Sequence, residues 1–383
     1  MTPSSTPFSP EKYIFEGKAK GLGDETLNSA IEQISAVMDG SPPLPALLSL
    51  KHLALRASIP YTYLRNIVQR SDSEVYRKFS IRKRSGGRRF IHVPDPWLSR
   101  VQKWIHEHIL KGIPSHPCSY AFTPKSSILK CASRHTGAQW LIKMDIDGFF
   151  SSVSEIQVFR VFKELGYQPL VAFELARICT VYPGARSPRW DDSVWQVKRS
   201  NNQIPTYSSG LLGYLPQGAP TSPLLSNLVM RKIDNQIQKA SLKAGLTYTR
   251  YSDDLTFSSR DKNFTRKLAR AFIHEINKII SKDGFRPQHR KTLIVPPGSR
   301  KIVLGLLVDG SLPKLRREFK DHLRQHLYYL EKHGPIEHAE RREFDSVWGM
   351  KCHIKGLIDY ANMIELTYAK SLLKRFNAIE WPI

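Results

Sequence analysis

The chain has 383 residues, of which 41% are hydrophobic and 24% charged, a balance that excludes wholesale disorder and allows a sizeable core. Its 58 Lys and Arg outnumber 34 Asp and Glu, so the formal net charge is +24. A field of this strength attracts polyanions, and nucleic acid is therefore the expected partner. No apolar stretch of about 18 residues is present, which argues against a membrane-spanning protein.

The start of the chain predicts little chemistry. It lacks a basic segment followed by an apolar one, so we expect no secretory signal and a cytoplasmic protein. Residues 1–25 are predicted to form a loose arm, and residues 24–70 two helical pieces separated by a proline break.

The cysteines show no CxxC pairing, which predicts free thiols and no structural zinc. They are Cys118, Cys131, Cys179 and Cys352.

A strongly basic segment follows at residues 77–91. It holds seven Lys or Arg and no acidic residue, with Phe79 and Phe90 among the charges. Ser85-Gly86-Gly87 separates two β-prone runs, which is typical of a hairpin turn. Two interpretations stay open: a solvated charged hairpin, and a two-stranded flap that presents cations to phosphates.

The first candidate functional carboxylate is Asp145, at the end of the apolar run that starts at Trp140. We expect a buried strand there, then a helix over residues 154–165 that stops at Gly166. A carboxylate at the end of a core strand is costly unless it is paired or holds a metal ion. Residues 182–212 are polar and are predicted to be an irregular insertion.

A loop at residues 215–223 precedes a predicted helix that runs to about Ala244. Its Gly218 lets the backbone approach a ligand closely. Two β-prone runs then flank Ser252-Asp253-Asp254, which predicts a hairpin with two carboxylates at its tip. The remaining chain is predicted as a helix ending at Gly284, strands around residues 291–295 and 302–308, and helices from Leu315 onwards, the first with a basic outer face.

The carboxylates predict chemistry if the strands of Asp145 and Asp254 are neighbours in one sheet. Three converging carboxylates raise one another's pKa unless divalent cations neutralise them. Two Mg²⁺ ions can activate an attacking hydroxyl and stabilise a leaving oxygen, which with the basic charge predicts nucleotidyl transfer on nucleic acid. An Asp pair can also belong to an ordinary turn. The order Asp145, Gln217-Gly218, Tyr251-Ser-Asp-Asp254 favours the functional interpretation.

In this order, over about residues 75–310, the motifs resemble those of bacterial retron-type reverse transcriptases. Lys83 and residues 86–91 resemble the fingers element Gly-Gly-x-Arg-x-Ile, residues 145–150 the first palm motif, residues 215–223 the second, and residues 251–254 the Tyr-x-Asp-Asp motif. The resemblance implies an α+β right-hand polymerase fold with an RRM-like palm sheet. The expected regions are an N-terminal arm and helices (1–75), fingers (76–135), palm (136–310) and a helical, RNA-binding thumb (311–383).

The resemblance also implies roles. Asp145, Asp253 and Asp254, with the backbone of Ile146, would hold two Mg²⁺ ions, with Mn²⁺ as an alternative. Phe150 would be the steric gate against a ribose 2′-OH, with Phe149 in the core and Asp147 at a loop or helix start. The other nucleotide contacts would be Lys83, Arg89, Gln217, Gly218 and Lys291. For Lys291, a proton donor to pyrophosphate and a surface cation are equally open.

Two retron elements, Asn-Ala-x-x-His and Val-Thr-Gly, are present as Cys131-Ala-Ser-Arg-His135 and Val303-Leu-Gly305, each with one departure. The expected RNA contacts are His135, Lys314, Arg317 and Arg324, although a lone histidine is more often packed or superficial. The expected partners are a cognate structured noncoding RNA, which serves as template and primer, its DNA product, dNTPs and a separately encoded effector protein.

The implied function is an RNA-directed DNA polymerase that primes from a guanosine 2′-OH. It would copy part of its own RNA into branched RNA–DNA (msDNA) in antiphage defence. One alternative is a related defence polymerase that uses another primer or makes untemplated DNA. A second is a non-catalytic RNA-binding scaffold that holds a toxin.

Overall fold

The computed structural model describes residues 8–71, 75–82, 86–182 and 212–382. The chain divides into two compact units of mixed helix and antiparallel sheet. The first comprises Met1–Pro117, Ile146–Asn235 and Ile280–Arg286, and the second Cys118–Asp145, Gln236–Ile279 and Pro287–Ile383. Among the described helices, none combines the length and the apolar character needed to cross a membrane.

The first unit opens with four helices: α1 (Pro10–Ala19), α2 (Asp24–Met38), α3 (Leu50–Ala57) and α4 (Tyr61–Gln69). The prediction of a loose arm over residues 1–25 is therefore wrong for α1. Ser9 caps α1 by accepting a hydrogen bond from the backbone N–H of Lys12, and Pro10 occupies the first turn. Gly17, the one buried residue of α1, lies against Leu27 of α2, so the helix is held by a close approach rather than by an apolar stripe.

The basic segment forms the predicted hairpin of β1 (Tyr76–Arg82) and β2 (Arg88–Pro94). The strands pair antiparallel from Tyr76 opposite Pro94 to Arg82 opposite Arg88. Gly86 and Gly87 in the connection have φ of 85° and 80°, a region that glycine enters without steric cost. The chain continues into α5 (Pro96–Ile105) and a π-helical turn (His106–Leu110).

The rest of the first unit is formed mainly by residues 146–235. It contains α7 (Phe149–Ser152), α8 (Glu155–Glu164), α9 (Pro169–Cys179) and the start of α10 (Ser222–Lys243). The predicted helix at 154–165 is confirmed: Ser154 and Gln157 form a reciprocal capping box, and Gly166 follows with φ of 96°. The predicted insertion at 182–212 lies outside the described residues except for its two ends.

The second unit is built around a five-stranded sheet. Its strands are β3 (Trp140–Asp147), β4 (Thr247–Tyr251), β5 (Asp254–Ser259), β6 (Arg286–Pro287) and β7 (Leu293–Val295). The order is β4-β5-β3-β6, and β7 also pairs with β3, so that β3 is central. The helix α6 (Ile128–Ser133) and most of α11 (Arg266–Lys282) also belong to the second unit.

The C-terminal region contains β8 (Ile302–Val303), β9 (Leu306–Leu307), β10 (Lys314–Leu315), α12 (Arg317–Arg341), α13 (Val347–Ile364) and α14 (Leu366–Asn377). The expected single strand at 302–308 is a tight hairpin, because Leu304 and Gly305 both have positive φ. The expected helix start at Leu315 is displaced to Arg317, because Lys314 and Leu315 pair with β9. Apolar residues of α12–α14 form one core cluster with Leu141 and Val295 of the sheet.

Candidate active site

The sheet of the second unit brings two of the predicted carboxylates together. β3 and β5 pair antiparallel, with Asp145 directly opposite Asp254. Opposite residues of such a pair have Cβ atoms roughly 4.5–5.5 Å apart and point to the same face. The condition set for these strands, that they are neighbours in one sheet, is therefore met. Asp145 is only 6% exposed, so its charge lies in a largely buried position.

Asp253 lies in the two-residue turn between β4 and β5, since Tyr251 pairs with Asp254. The predicted hairpin with carboxylates at its tip is confirmed. Ser252, the first turn residue, has φ of 60°, a left-handed conformation that L-residues with a side chain seldom adopt. The fully buried Arg250 supports this turn by donating from Nη1 to the carbonyl oxygen of Ser252 at 3.1 Å.

Lys291 completes the charged group at this end of the sheet. Its Nζ donates a 2.8 Å hydrogen bond to Oδ2 of Asp145. Its position follows from the backbone: Gln288 N–H donates to the carbonyl oxygen of Asp145, and Lys291 N–H donates to that of Gln288. Partial burial lowers the pKa of Lys291, but the hydrogen bond to Asp145 and the three aspartates outweigh burial and raise it. The ammonium group is therefore stabilised in its charged form.

The pKa of Asp254 depends on several charged neighbours in the site. Burial raises the pKa of its carboxyl, and the charges of Asp253 and Asp145 raise it further, while Lys143 and Lys291 act in the opposite direction. Lys143 was missed in the sequence, although its position two residues before Asp145 places both on one face of β3. Lys143 and Lys291 thus act against the mutual repulsion of the three carboxylates.

No group of three or more His, Cys, Asp or Glu side chains in the described ranges is already arranged to hold a metal ion. The donor set nevertheless fits one. It consists of carboxylate oxygens only, which hard divalent cations such as Mg²⁺ prefer. Beside burial, the charges of Asp253 and Asp145 raise the pKa of Asp254, so a divalent cation would relieve the repulsion among the three carboxylates. Asp145, Asp253 and Asp254 are the residues that would supply the oxygens.

In the first unit, the Gln217–Gly218 loop lies against the basic hairpin. The carbonyl oxygen of Gln217 accepts a 2.8 Å hydrogen bond from the backbone N–H of His92 on β2. Gly218 has φ of 118°, and a Cβ there would lie 2.8 Å from the carbonyl oxygen of His92. The glycine is therefore required by the close approach of two backbones. Arg89, also on β2, is exposed, and Lys83 lies outside the described residues.

The two phenylalanines after Asp145 differ in exposure. Phe149 is buried at 4% and stacks near Phe285, which confirms its expected place in the core. Phe150 is half-buried, with its ring centroid 5.5 Å from that of Phe149. Its ring therefore retains a surface that can meet a ligand. Asp147 is exposed in the last position of β3, and its carbonyl oxygen accepts a hydrogen bond from Ser152.

The expected RNA contact of His135 is wrong, because this side chain is 1% exposed. Its Nδ1 lies 2.7 Å from Oγ of Ser258 and its Nε2 2.7 Å from Oγ1 of Thr249. Burial lowers the pKa of His135 to about 3, with a smaller effect from the charge of Arg134. Cys131, which replaces the family's Asn, also contacts Thr249, with Sγ 3.3 Å from Oγ1. This element packs behind the hairpin that carries Asp253 and Asp254.

The other three expected RNA contacts are exposed residues of the second unit. Lys314 lies on β10, and Arg317 and Arg324 lie on α12. Both arginines contact Asp321, at 3.5 Å and 3.0 Å. Arg324 also lies 6.0 Å from the ring centroid of Tyr368. These positions are accessible to a polyanion.

Comparison with known proteins gives a consistent family. The profile "Reverse transcriptase (RNA-dependent DNA polymerase)" matches residues 81–307. "Retron Ec86 reverse transcriptase" of Escherichia coli is 31% identical over 337 residues, which cover 87% of this chain and 94% of the relative. "Retron Mx65 reverse transcriptase" of Myxococcus xanthus is 31% identical over 310 residues, or 78% of this chain and 64% of the relative.

Among solved structures, telomerase from Candida albicans in complex with a fragment of telomeric RNA aligns with a TM-score of 0.44 and 13% identity, over 85% of this chain and 58% of that one. A likeness this distant carries no argument about function. The family profile covers more than half of the chain, and the E. coli relative covers most of it. The chain therefore belongs to the reverse transcriptase family, has its right-hand polymerase fold, and is an RNA-directed DNA polymerase of the retron type.

Proposed function

We propose that this reverse transcriptase copies part of its own structured noncoding RNA into branched RNA–DNA by two-metal nucleotidyl transfer, as the polymerase of a retron that serves in antiphage defence. The main observation in favour of the catalytic mechanism is the pairing of Asp145 with Asp254, beside Asp253 and Lys291. The relatives named as retron reverse transcriptases support the retron part.

In this proposal Asp145, Asp253 and Asp254 hold divalent cations, Mg²⁺ first and Mn²⁺ as an alternative. Such ions, when bound, supply activation of the attacking hydroxyl and charge neutralisation at the leaving oxygen. The turn support from Arg250 and the strand pairing orient the carboxylates before substrate arrives. Lys291 holds a proton at Nζ, which makes it the candidate donor to the leaving pyrophosphate.

Nucleotide selection in this proposal involves the residues of the first unit. Gln217 and Gly218 pack along the incoming dNTP, and Arg89 and Lys83 bind its triphosphate. The charge-assisted hydrogen bonds of an arginine suit phosphate oxygens. Phe150 excludes a ribose 2′-OH by contact with its half-buried ring. Support for the placement of this loop comes from the close approach of residue 218 to the backbone of β2, which holds the loop beside the strand that carries Arg89.

Template recognition in this proposal depends on positive charge. The net charge of +24 favours RNA binding through phosphates, and Lys314, Arg317 and Arg324 are exposed cations suited to an RNA stem. The RNA serves as template and as primer, through the 2′-OH of a guanosine. A separately encoded effector protein would complete the defence system.

The test is to express the chain with its flanking DNA and to sequence the nucleic acids that copurify with it. A short single-stranded DNA joined 2′–5′ to a local structured RNA is the expected result. DNA without that branch, or DNA that matches no template, would instead indicate the alternative-primer or untemplated polymerase. RNA without any DNA, from protein supplied with Mg²⁺ and dNTPs, would indicate the RNA-binding scaffold.

A further inference from the structure

The first unit contains a buried charged cluster that lies outside the proposed catalytic group. Its members are Arg70 at the end of α4, Glu155 at the start of α8 and Arg177 in the last turn of α9. Arg70 Nη2 donates to Glu155 Oε2 at 2.8 Å, and Arg177 Nε donates to Glu155 Oε1 at 3.0 Å. The three side chains are only 5–9% exposed.

Arg70 and Arg177 stabilise the charged form of Glu155. Burial by itself would raise the pKa of this carboxyl, but the charges and hydrogen bonds of Arg70 and Arg177 outweigh burial and lower it. Such buried ionic groups seldom contribute more stability than well-packed apolar residues of the same volume. Stability alone is therefore a weak reason for three charged side chains at this position.

The cluster is attached to the backbone that leads into the Gln217–Gly218 loop. The N–H of Gly213 donates to Glu155 Oε2 at 3.0 Å, and the N–H of Glu155 donates to the carbonyl oxygen of Gly213 at 2.8 Å. Arg70 also donates to the carbonyl oxygen and to Oγ1 of Thr180. Residues 180 and 213 precede and follow the predicted insertion, so both ends of that segment meet at one carboxylate.

The next residues extend this attachment towards the loop. Tyr214 and Val181 exchange two backbone hydrogen bonds, at 2.9 and 3.0 Å, and Leu215 N–H donates to the carbonyl oxygen of Val153 at 3.0 Å. Three residues separate the carboxylate-bound Gly213 from Gln217. A Cβ on Gly213 would lie 2.6 Å from Glu155 Oε2 and 2.7 Å from Arg70 Nη2. The cluster therefore leaves no room for a side chain at residue 213.

We propose that Glu155, held by Arg70 and Arg177, is a positioning residue for DNA synthesis: it sets the placement of the Gln217–Gly218 loop through Gly213. This inference rests on the proposed contact of that loop with the incoming dNTP. It also gives the N-terminal helices a role in the reaction, because Arg70 connects α4 to the loop.

The test compares steady-state kinetics of four variants on an RNA template with an annealed DNA primer. Gly213→Ala displaces the loop from the cluster without changing any charge, and we expect the KM for dNTP to rise about tenfold with kcat changed less than about threefold. Arg70→Lys keeps the charge but loses the fork of donors, and should raise the same KM by a smaller factor. Val158→Ala, in α8 and fully buried, is the matched control for lost stability and should leave this KM unchanged.

Gln217→Ala separates this inference from the proposed loop contact. If Gln217→Ala raises the KM for dNTP and Gly213→Ala does not, the positioning role is refuted while the loop contact stands. If Gln217→Ala also leaves that KM unchanged, the loop contact itself is refuted. If the cluster has only a structural role, Gly213→Ala and Arg70→Lys will lower the Tm and the active fraction, as Val158→Ala does, and will leave the KM for dNTP unchanged. That result would overturn the proposal. Glu155→Gln is a less suitable test because it leaves two buried guanidinium groups uncompensated.

Discussion

His135 offers a prediction that separates a packing role from an RNA contact. The substitution His135→Asn removes an imidazole whose two nitrogens both lie 2.7 Å from hydroxyl oxygens of the sheet. Each hydrogen bond contributes about 1 kcal/mol to the free energy of unfolding. At pH 7.5, where the imidazole is neutral in both states, we therefore expect His135→Asn to lower this free energy by about 2 kcal/mol.

The destabilisation should shrink as the pH falls. The folded pKa of His135 is lowered by burial to about 3, whereas the unfolded value is about 6.5. Between these values the unfolded chain binds a proton that the folded chain does not, so the wild type loses up to about 1.4 kcal/mol of stability per pH unit below 6.5. At pH 5 this amounts to about 2 kcal/mol, which the Asn variant does not lose.

The measurement is urea denaturation of wild type and variant at pH 7.5, 6.0 and 5.0, because carboxylates common to both cancel in the difference. His108→Asn, at an exposed position, is measured in parallel as the control for the same substitution outside the core. A His135→Asn difference that is the same at pH 7.5 and pH 5 would refute the buried neutral histidine. An unchanged stability with weakened RNA binding would restore the RNA contact.

Three further predictions concern the reaction itself. Lys291→Met removes the ammonium that donates to Asp145, so single-nucleotide incorporation should lose roughly 10–100-fold in kcat with little change in KM for dNTP; an unchanged kcat would leave Lys291 as a surface cation. Gly218→Ala forces a Cβ to within 2.8 Å of a carbonyl oxygen at a φ of 118°, and kcat/KM for dNTP should fall at least about tenfold; wild-type kinetics would contradict the close approach. Phe150→Ala should reduce the preference for dNTP over rNTP by about tenfold or more in competition assays, and an unchanged preference would exclude the steric gate.

The elements predicted correctly from the sequence are those specified by local chemistry. The β4–β5 hairpin and the capped helix α8 each carry their own turn or capping residues. Asp145 and the Asp253-Asp254 pair were each placed at the end of a β-prone run, but the sequence left open whether their strands are neighbours, and the pairing of β3 with β5 answers that question. The motif order then supplied the family, which the comparisons confirm.

The elements missed are those that depend on distant partners. α1 is held by one close approach of Gly17 to Leu27 rather than by an apolar stripe, so periodicity did not reveal it. β10 exists because Lys314 and Leu315 pair with β9, and two residues are too few for a sequence pattern. Burial of His135 depends on hydroxyls 114 and 123 residues away. None of these contacts leaves a local signal in the chain.

Interactions between charged residues that are distant in sequence could not be predicted either. The capping box of α8 could be read from Ser154 and Gln157, but Glu155 between them has its partner Arg70 at a sequence separation of 85 residues. Lys143 could have been found, because alternate residues of a strand share a face. The ion pair of Lys291 with Asp145 spans 146 residues, and the sequence left its role undecided.

The most direct test of the catalytic assignment is primer extension on an RNA template with Mg²⁺, by wild type, Asp254→Asn and Asp261→Asn. Asp261 lies shortly after β5 and is exposed, so its Asn variant controls for the loss of one negative charge near the hairpin. We expect Asp254→Asn to fold with a Tm close to that of wild type but to lose DNA synthesis by about a thousandfold or more, while Asp261→Asn remains active. DNA synthesis by Asp254→Asn at the rate of wild type would contradict the assignment of these carboxylates to the reaction.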